Sequence, residues 1–283
     1  TVTIENRSTR TVLVPRWLVP GPRLDASLFA VTRDGQPVTY LGRLVKRAAP
    51  GPADFVALAA GATLSAVTEL TKHYDMSGGG EYVIAYRIDL LEGIGASGAG
   101  DVGDVGGLRE TVESNAVAVW REGPSSSPLP AWNAAPAAES SLSTNNCSTS
   151  QSTAVTTAVG NATNYSTGAK SYLDSRSWST VGSRYTTWFG AANSGRFNTV
   201  SSHFNAIRSA FQTAPIVVDC ACDEPYYAYV YPNQPYTIYV CNAFWTAPAT
   251  GTDSKAGTLV HEMSHFNVVA ATDDHVYGQS ACR

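Results

Sequence analysis

Along the first 122 residues, apolar and polar positions alternate in short runs and never settle into a helical repeat. Segments 2–4, 11–14, 27–31, 38–45, 55–58, 82–90 and 116–120 are short and rich in β-branched or aromatic residues. That composition predicts strands. Asp34-Gly35, Pro50-Gly51-Pro52 and Gly78-Gly79-Gly80 separate them, as turn residues should. About seven such strands without a long helix predict an all-β, immunoglobulin-like sandwich over 1–122.

The pattern then changes twice. Gly123-Pro124-Ser125-Ser126-Ser127-Pro128-Leu129-Pro130 opens a Pro-, Ser- and Ala-rich stretch to 142. It reads as a linker, and exposed segments of this kind are where proteases cut. Beyond it the period becomes helical. Ala154, Ala158, Tyr165, Ala169 and Tyr172 recur at roughly helical spacing, and Phe197, Val200, Phe204, Ile207 and Phe211 follow it closely. Segments 227–231 and 236–240, joined by Pro232-Asn233-Gln234-Pro235, predict a hairpin. Thr252 and Asp253 are placed to cap a further helix. Residues 143–283 are therefore expected to form a second domain, α+β and mainly helical.

Bulk composition narrows the function classes. The chain has 283 residues, 15% charged, with a formal net charge of −4. A nucleic-acid footprint would need clustered Lys and Arg. Arg43, Lys46 and Arg47 make only a short basic cluster, read here as a solvated strand end. No run approaches the 18 or so apolar residues of a membrane span. The chain opens without a leader-like segment, so an exported protein would have lost its signal peptide before this point. All five cysteines (Cys147, Cys220, Cys222, Cys241, Cys282) fall after residue 146. Cys220-Ala221-Cys222 is too tight for a zinc ribbon, and a disulfide framework in a secreted, extracellular domain fits better. Five is odd, which leaves Cys282 over.

The chemistry concentrates in His261-Glu262-Met263-Ser264-His265, with Asp274 nine residues further on. Residues four apart share a helix face, so His261 and His265 can present two imidazoles to one metal. Glu262 projects beside the water that a hydrolase activates, and a carboxylate past the helix completes a three-ligand, open zinc site. The short HExxH string recurs by chance, so its surroundings decide. Apolar flanks, a nearby carboxylate and a cysteine-bearing domain favour a zinc endopeptidase over two surface histidines. Gly98-Ala99-Gly100-Asp101-Val102-Gly103 fits a dinucleotide fingerprint but opens no helix, and reads as a loop. No GxSxG elbow supports a serine hydrolase. His203, a lone histidine between the apolar positions of its helix, is read as structural or solvated rather than as a ligand. Asn-x-Ser/Thr triplets, such as those at Asn6, Asn161 and Asn164, are expected by chance in so Ser-, Thr- and Asn-rich a chain.

From Cys147 to Gly278 the residues resemble the deuterolysin-type metallopeptidases, the aspzincins, and among them the peptidyl-Lys metalloendopeptidases. The similarity rests on Arg184-Tyr185-Thr186-Thr187-Trp188-Phe189-Gly190, Tyr229-Val230-Tyr231-Pro232-Asn233, Ala243-Phe244-Trp245 and the run from Thr250 through Glu262. The resemblance implies a zincin-type domain, zinc held by His261, His265 and Asp274, Glu262 as general base, and Tyr277 as the hydroxyl that stabilises the oxyanion. Asp273 is the second choice for the third ligand. It also implies Cys147–Cys220 and Cys222–Cys241 bridges. The family carries Gly-Thr where this chain has Ala271-Thr272, and a left-handed backbone at an alanine would be strained. Relatives continue past the point corresponding to Arg283, so the resemblance implies a longer domain.

The first 122 residues resemble, more weakly, the β-rich propeptides that precede such enzymes, through the strings from Gly35 to Gly42 and from Gly80 to Tyr86. The expectation is a secreted proenzyme, a monomer acting on protein or peptide substrates and restrained intramolecularly by its first domain. Preference for Lys after the scissile bond follows from the resemblance alone. Two alternatives are set against this: a non-catalytic peptide- or surface-binding protein built on a degenerate peptidase domain, and a peptidase whose first domain is a permanent binding module.

Overall fold

A computed structural model of the chain describes residues 1–90, 110–123, 141–275 and 277–278. The Gly98–Gly103 string, most of the expected linker and Cys282 lie outside the described residues. The chain divides into two compact units.

The first unit is built from strands: β1 (Val2–Glu5), β2 (Val12–Pro15), β3 (Phe29–Arg33), β4 (Gln36–Pro37), β6 (Phe55–Leu58), β7 (Thr63–Ala66), β8 (Gly80–Leu90), β9 (Glu110–Glu113) and β10 (Val117–Arg121). β1 pairs β7 and β2 pairs β6, both antiparallel, while a larger sheet runs β10-β8-β3-β4 with β9 also on β8. The Asp34-Gly35 turn joins β3 to β4 with φ of 49° and 77°. Positive φ at both central residues matches the twist of a two-residue hairpin, and Asp-Gly is the pair that adopts it most readily. Along β8 the period of two places Tyr82, Tyr86 and Ile88 in one core with Leu24, Leu28, Phe29, Val31 and Tyr74. Tyr74 also ties the core together through hydrogen bonds with both the N–H and the carbonyl of Phe29.

The second unit packs helices on a mixed sheet. Its elements are β5 (Leu44–Lys46), β11 (Leu142–Asn145), α1 (Thr149–Asp174), α2 (Ser183–Phe189), α3 (Ser194–Thr213), β12 (Ile216–Asp219), β13 (Ala228–Val230), β14 (Thr237–Val240), α4 (Asn242–Thr246) and α5 (Lys255–His265). The sheet order is β11-β12-β14-β13-β5; β11, β12 and β14 are parallel, and β13 is antiparallel to β14 and to β5. The expected hairpin is present as β13–β14. Inward residues of the sheet (Ile216, Val218, Ala228, Val230, Ile238, Val240) meet Val155, Ala158 and Ala162 of α1, Ile207 and Phe211 of α3, and Leu259 and Met263 of α5. Leu173, Tyr185, Phe197 and Val200 form a second, smaller cluster. Cys147–Cys220 and Cys222–Cys241 are bonded, as the family pattern implies, and fasten both sides of the β12 exit.

Several expectations needed correcting. The segment 38–45 is not one strand: β4 stops at Pro37, just before it, only β5 begins at its far end, and a lone bridge joins Tyr40 to Tyr74. The basic cluster beside it is not a solvated strand end. Arg43 is 5% exposed, and its Nε donates to Asp25 at 2.8 Å. The buried face of α1 runs through Val155, Ala158, Ala162, Ser166, Lys170 and Leu173, so Tyr165 points outward. Here the core is made from small side chains, and the aromatic residues mislead. The cap of α5 is Ser254, whose hydroxyl accepts from the Gly257 N–H, rather than Thr252 or Asp253.

Candidate metal centre

α5 is fixed at both ends before any chemistry is considered. Ser254 satisfies one of the orphan N–H groups of the first turn and is itself fully buried. The ammonium of Lys255 donates to the carbonyl of Trp245 at 2.9 Å and to that of Ala247, binding α5 to the end of α4. Burial lowers the pKa of this lysine. Ala256, Leu259 and Met263 anchor the core side of the helix, all with no exposed surface. His261, Glu262 and His265 are thereby carried on a helix that cannot roll.

The turn that follows is tight. The Phe266 carbonyl accepts from the N–H groups of Val269, Ala270 and Ala271, and the Thr272 N–H returns to the Ser264 carbonyl. Ala271 holds φ of 49°, so the left-handed conformation is kept although glycine is absent. This geometry brings Thr272 back alongside α5. His265 Nδ1 lies 2.6 Å from the Thr272 carbonyl. A carbonyl can only accept, so Nδ1 carries the proton and Nε2 is left with its lone pair. Ser264 Oγ donates to the His261 carbonyl at 2.7 Å and therefore accepts from the Thr272 hydroxyl at 2.6 Å. Ser264 and Thr272 thus clamp the residue whose carbonyl orients His265. Sequence reasoning missed this pair, because the polar atom that acts is a backbone carbonyl and no side-chain motif announces it.

The two imidazoles meet at Nε2–Nε2 3.0 Å. Two ligands of a tetrahedral zinc with Zn–N near 2.0–2.1 Å would be separated by about 3.3 Å. His261, His265 and Asp274 each offer one ligand atom, and the three atoms lie within 4.8 Å of one another. This is the one such group of three or more His, Cys, Asp or Glu among the described residues. A nitrogen, nitrogen, oxygen donor set suits zinc, so the residues present fit the ion that the motif implies. Asp273 is exposed and outside the group, and His203 is half-buried on α3, also outside it. Glu262 has no exposed surface. Tyr277 is buried; its hydroxyl donates to Asp274 Oδ2 at 3.3 Å, and the Trp17 ring packs edge-on against it at 5.6 Å.

Two imidazoles converging from one helix face, a buried glutamate beside them and an aspartate–tyrosine pair just beyond define a metallopeptidase of the HExxH class. Residues 174–283 match the family described as lysine-specific metallo-endopeptidase. The chain is 41% identical over its whole length to a protein named "Extracellular protease" from Aeromonas hydrophila, covering 80% of it. Half of the chain is 46% identical to the peptidyl-Lys metalloendopeptidase of Armillaria mellea, covering 40% of that protein. Among solved structures it is similar to a zinc peptidase from Grifola frondosa: 45% identity, 48% of this chain and 82% of that one covered, TM-score 0.46. The chain belongs to the aspzincin family of metalloendopeptidases.

Proposed function

We propose that this metalloendopeptidase is a zinc enzyme made as a secreted, monomeric proenzyme, with a preference for Lys after the scissile bond. The observation that carries the reading is the pair of Nε2 atoms 3.0 Å apart on α5, with His265 oriented by Thr272 and the buried Glu262 between them in sequence. His261, His265 and Asp274 would hold the metal. Bound zinc supplies Lewis-acid polarisation of the carbonyl and a lowered water pKa. Glu262 takes a proton from the attacking water and passes it to the leaving amine. Tyr277 turns its hydroxyl from Asp274 to the developing oxyanion, a donor placed where charge appears.

The names of the relatives support the finer points. One is called extracellular, and others are called peptidyl-Lys enzymes. Residues 1–122, an immunoglobulin-like sandwich in this reading, act as an inhibitory pro-domain; 123–142 are the severable linker and 143–283 the zincin-type peptidase. The contact of Trp17 with Tyr277 supports inhibition, since it ties the proposed oxyanion donor to a residue of the first 122.

Glu262→Gln tests the assignment of the base. The variant should bind one zinc ion as tightly as the parent and lose on the order of 10²–10⁴-fold in kcat. Zinc content by mass spectrometry and turnover of a fluorogenic peptide measure the two; near-parental turnover would remove Glu262 from the mechanism.

A further inference from the structure

One face of α5 is spelled Thr258, His261, Glu262 and His265, the i, i+3, i+4, i+7 spacing of a single helical stripe. Leu259 and Met263, which enter the hydrophobic core, lie on another face. Thr258 is thus the member of the metal-bearing stripe to which the chemistry above gives no part. It has no exposed surface, and its Oγ1 has no hydrogen-bond partner among the described residues. Buried polar atoms are nearly always paired, so an orphaned hydroxyl calls for an explanation. A helical threonine has one acceptor within reach, the carbonyl four residues back. Thr153, Thr156, Thr157, Thr163, Thr199 and Thr213 of α1 and α3 all donate to it. For Thr258 that carbonyl belongs to Ser254, which accepts from the Thr258 N–H at 2.8 Å. The Thr258 hydroxyl does not join it.

Side chains on a helix lean toward its N-terminus, so each covers the turn before its own Cα. Glu262 therefore leans back over Thr258, one turn earlier, with the two Cβ atoms about 5–6 Å apart. We propose that Thr258 is a positioning residue for the general base: its hydroxyl hydrogen-bonds the Glu262 carboxyl group during turnover and fixes where that group points. A hydroxyl suits this task because it both donates and accepts. It donates to the carboxylate before the proton leaves the attacking water, and accepts from the carboxyl group while Glu262 carries that proton. Valine has nearly the same shape and can do neither. Neither Thr258 nor Glu262 has exposed surface, so the bond forms in a low-dielectric setting where it is strengthened. The inference rests on the reading of Glu262 as general base given above.

The test uses the full-length, zinc-loaded chain, with every variant given the same activating cleavage before turnover of a fluorogenic peptide is read. Thr258→Val should lower kcat by about tenfold or more, the worth of one hydrogen bond to a charged group. KM and zinc content should stay near the parent's, because the bond acts on the chemical step rather than on binding. The urea midpoint should not fall, since a hydroxyl without a partner in the resting protein gives up no hydrogen bond. Thr258→Ser should recover most of the lost kcat. In the Glu262→Gln background the valine change should cost less than about twofold more, because Thr258 acts through Glu262. Should Thr258→Val fail to fold by circular dichroism, Thr258→Ala is read in the same way. Parental kcat in a folded variant, a loss carried by KM, no recovery with serine, or full additivity with Glu262→Gln overturns the proposal. Near-parental turnover by Glu262→Gln alone overturns the general-base reading instead, whatever Thr258→Val does.

Discussion

Ala271 carries a backbone conformation, φ 49°, that costs an L-residue about 1–2 kcal/mol relative to glycine-compatible space. It tolerates this because the turn around it is over-determined: three successive N–H groups converge on the Phe266 carbonyl, and Thr272 is bonded to α5 by backbone and side chain. The strain sits next to the residue that orients His265, where a looser turn would let the imidazole swing. Glycine at this position should relieve the strain, since it enters the left-handed region freely, at some entropic cost in the unfolded chain. Ala271→Gly is therefore expected to stabilise the protein by about 1 kcal/mol, read as a rise in the urea midpoint at unchanged slope. A lowered midpoint would mean that the alanine methyl is packed rather than merely tolerated.

At the scale of elements, what could be read from the sequence follows how local each signal is. The face of α3 was recoverable because Phe197, Val200, Ile207 and Phe211 are large and regularly spaced, and all are buried. The ligand pair on α5 needed only the four-residue repeat, and the β3–β4 turn only its Asp-Gly. By contrast α1 hides its stripe in alanine, serine and a lysine, where hydrophobic spacing has little contrast. β5 was lost inside a longer predicted strand because its pairing partner, β13, lies in the other half of the chain and no local pattern encodes it. β12, with its Ile216-Val217-Val218, is short enough to pass for the end of the preceding helix. The disulfides bear on the same non-local contacts. Cys147–Cys220 closes a separation of 73 residues and Cys222–Cys241 one of 19. By loop-closure entropy, removing the first pair should cost about 4 kcal/mol and the second about 3 kcal/mol. Double serine variants compared by thermal unfolding check the order; a larger loss from the shorter loop would show that native packing, rather than chain entropy, sets the effect.

For the molecule as a whole, the positions of its lysines constrain how a Lys-directed peptidase could be freed from its first domain. The chain has lysine only at 46, 72, 170 and 255, and none from 73 to 169. An enzyme that cuts only before Lys has no site in the linker at 123–142. Lys46 lies in β5, and Lys170 is a buried residue of α1, both held in backbone structure that a protease cannot thread. Lys72 is exposed, at the end of a short helical turn, but a cut there leaves everything from 72 to the linker attached. If the chain is the proposed proenzyme and cuts strictly before Lys, maturation would require a second protease, one that accepts the Pro-, Ser- and Ala-rich stretch; the alternative is relaxed self-cleavage in the linker. Purified alone, the wild-type chain should remain uncut between 123 and 145 for as long as Glu262→Gln does. Addition of a protease that cleaves after small residues should raise peptidase activity in the wild type only, and amino-terminal sequencing should find a start within that stretch. A cleavage-site library should show the activated enzyme cutting before Lys. If the wild type processes its own linker while Glu262→Gln does not, the enzyme is not strictly Lys-directed, and the library should then show cuts at small residues as well.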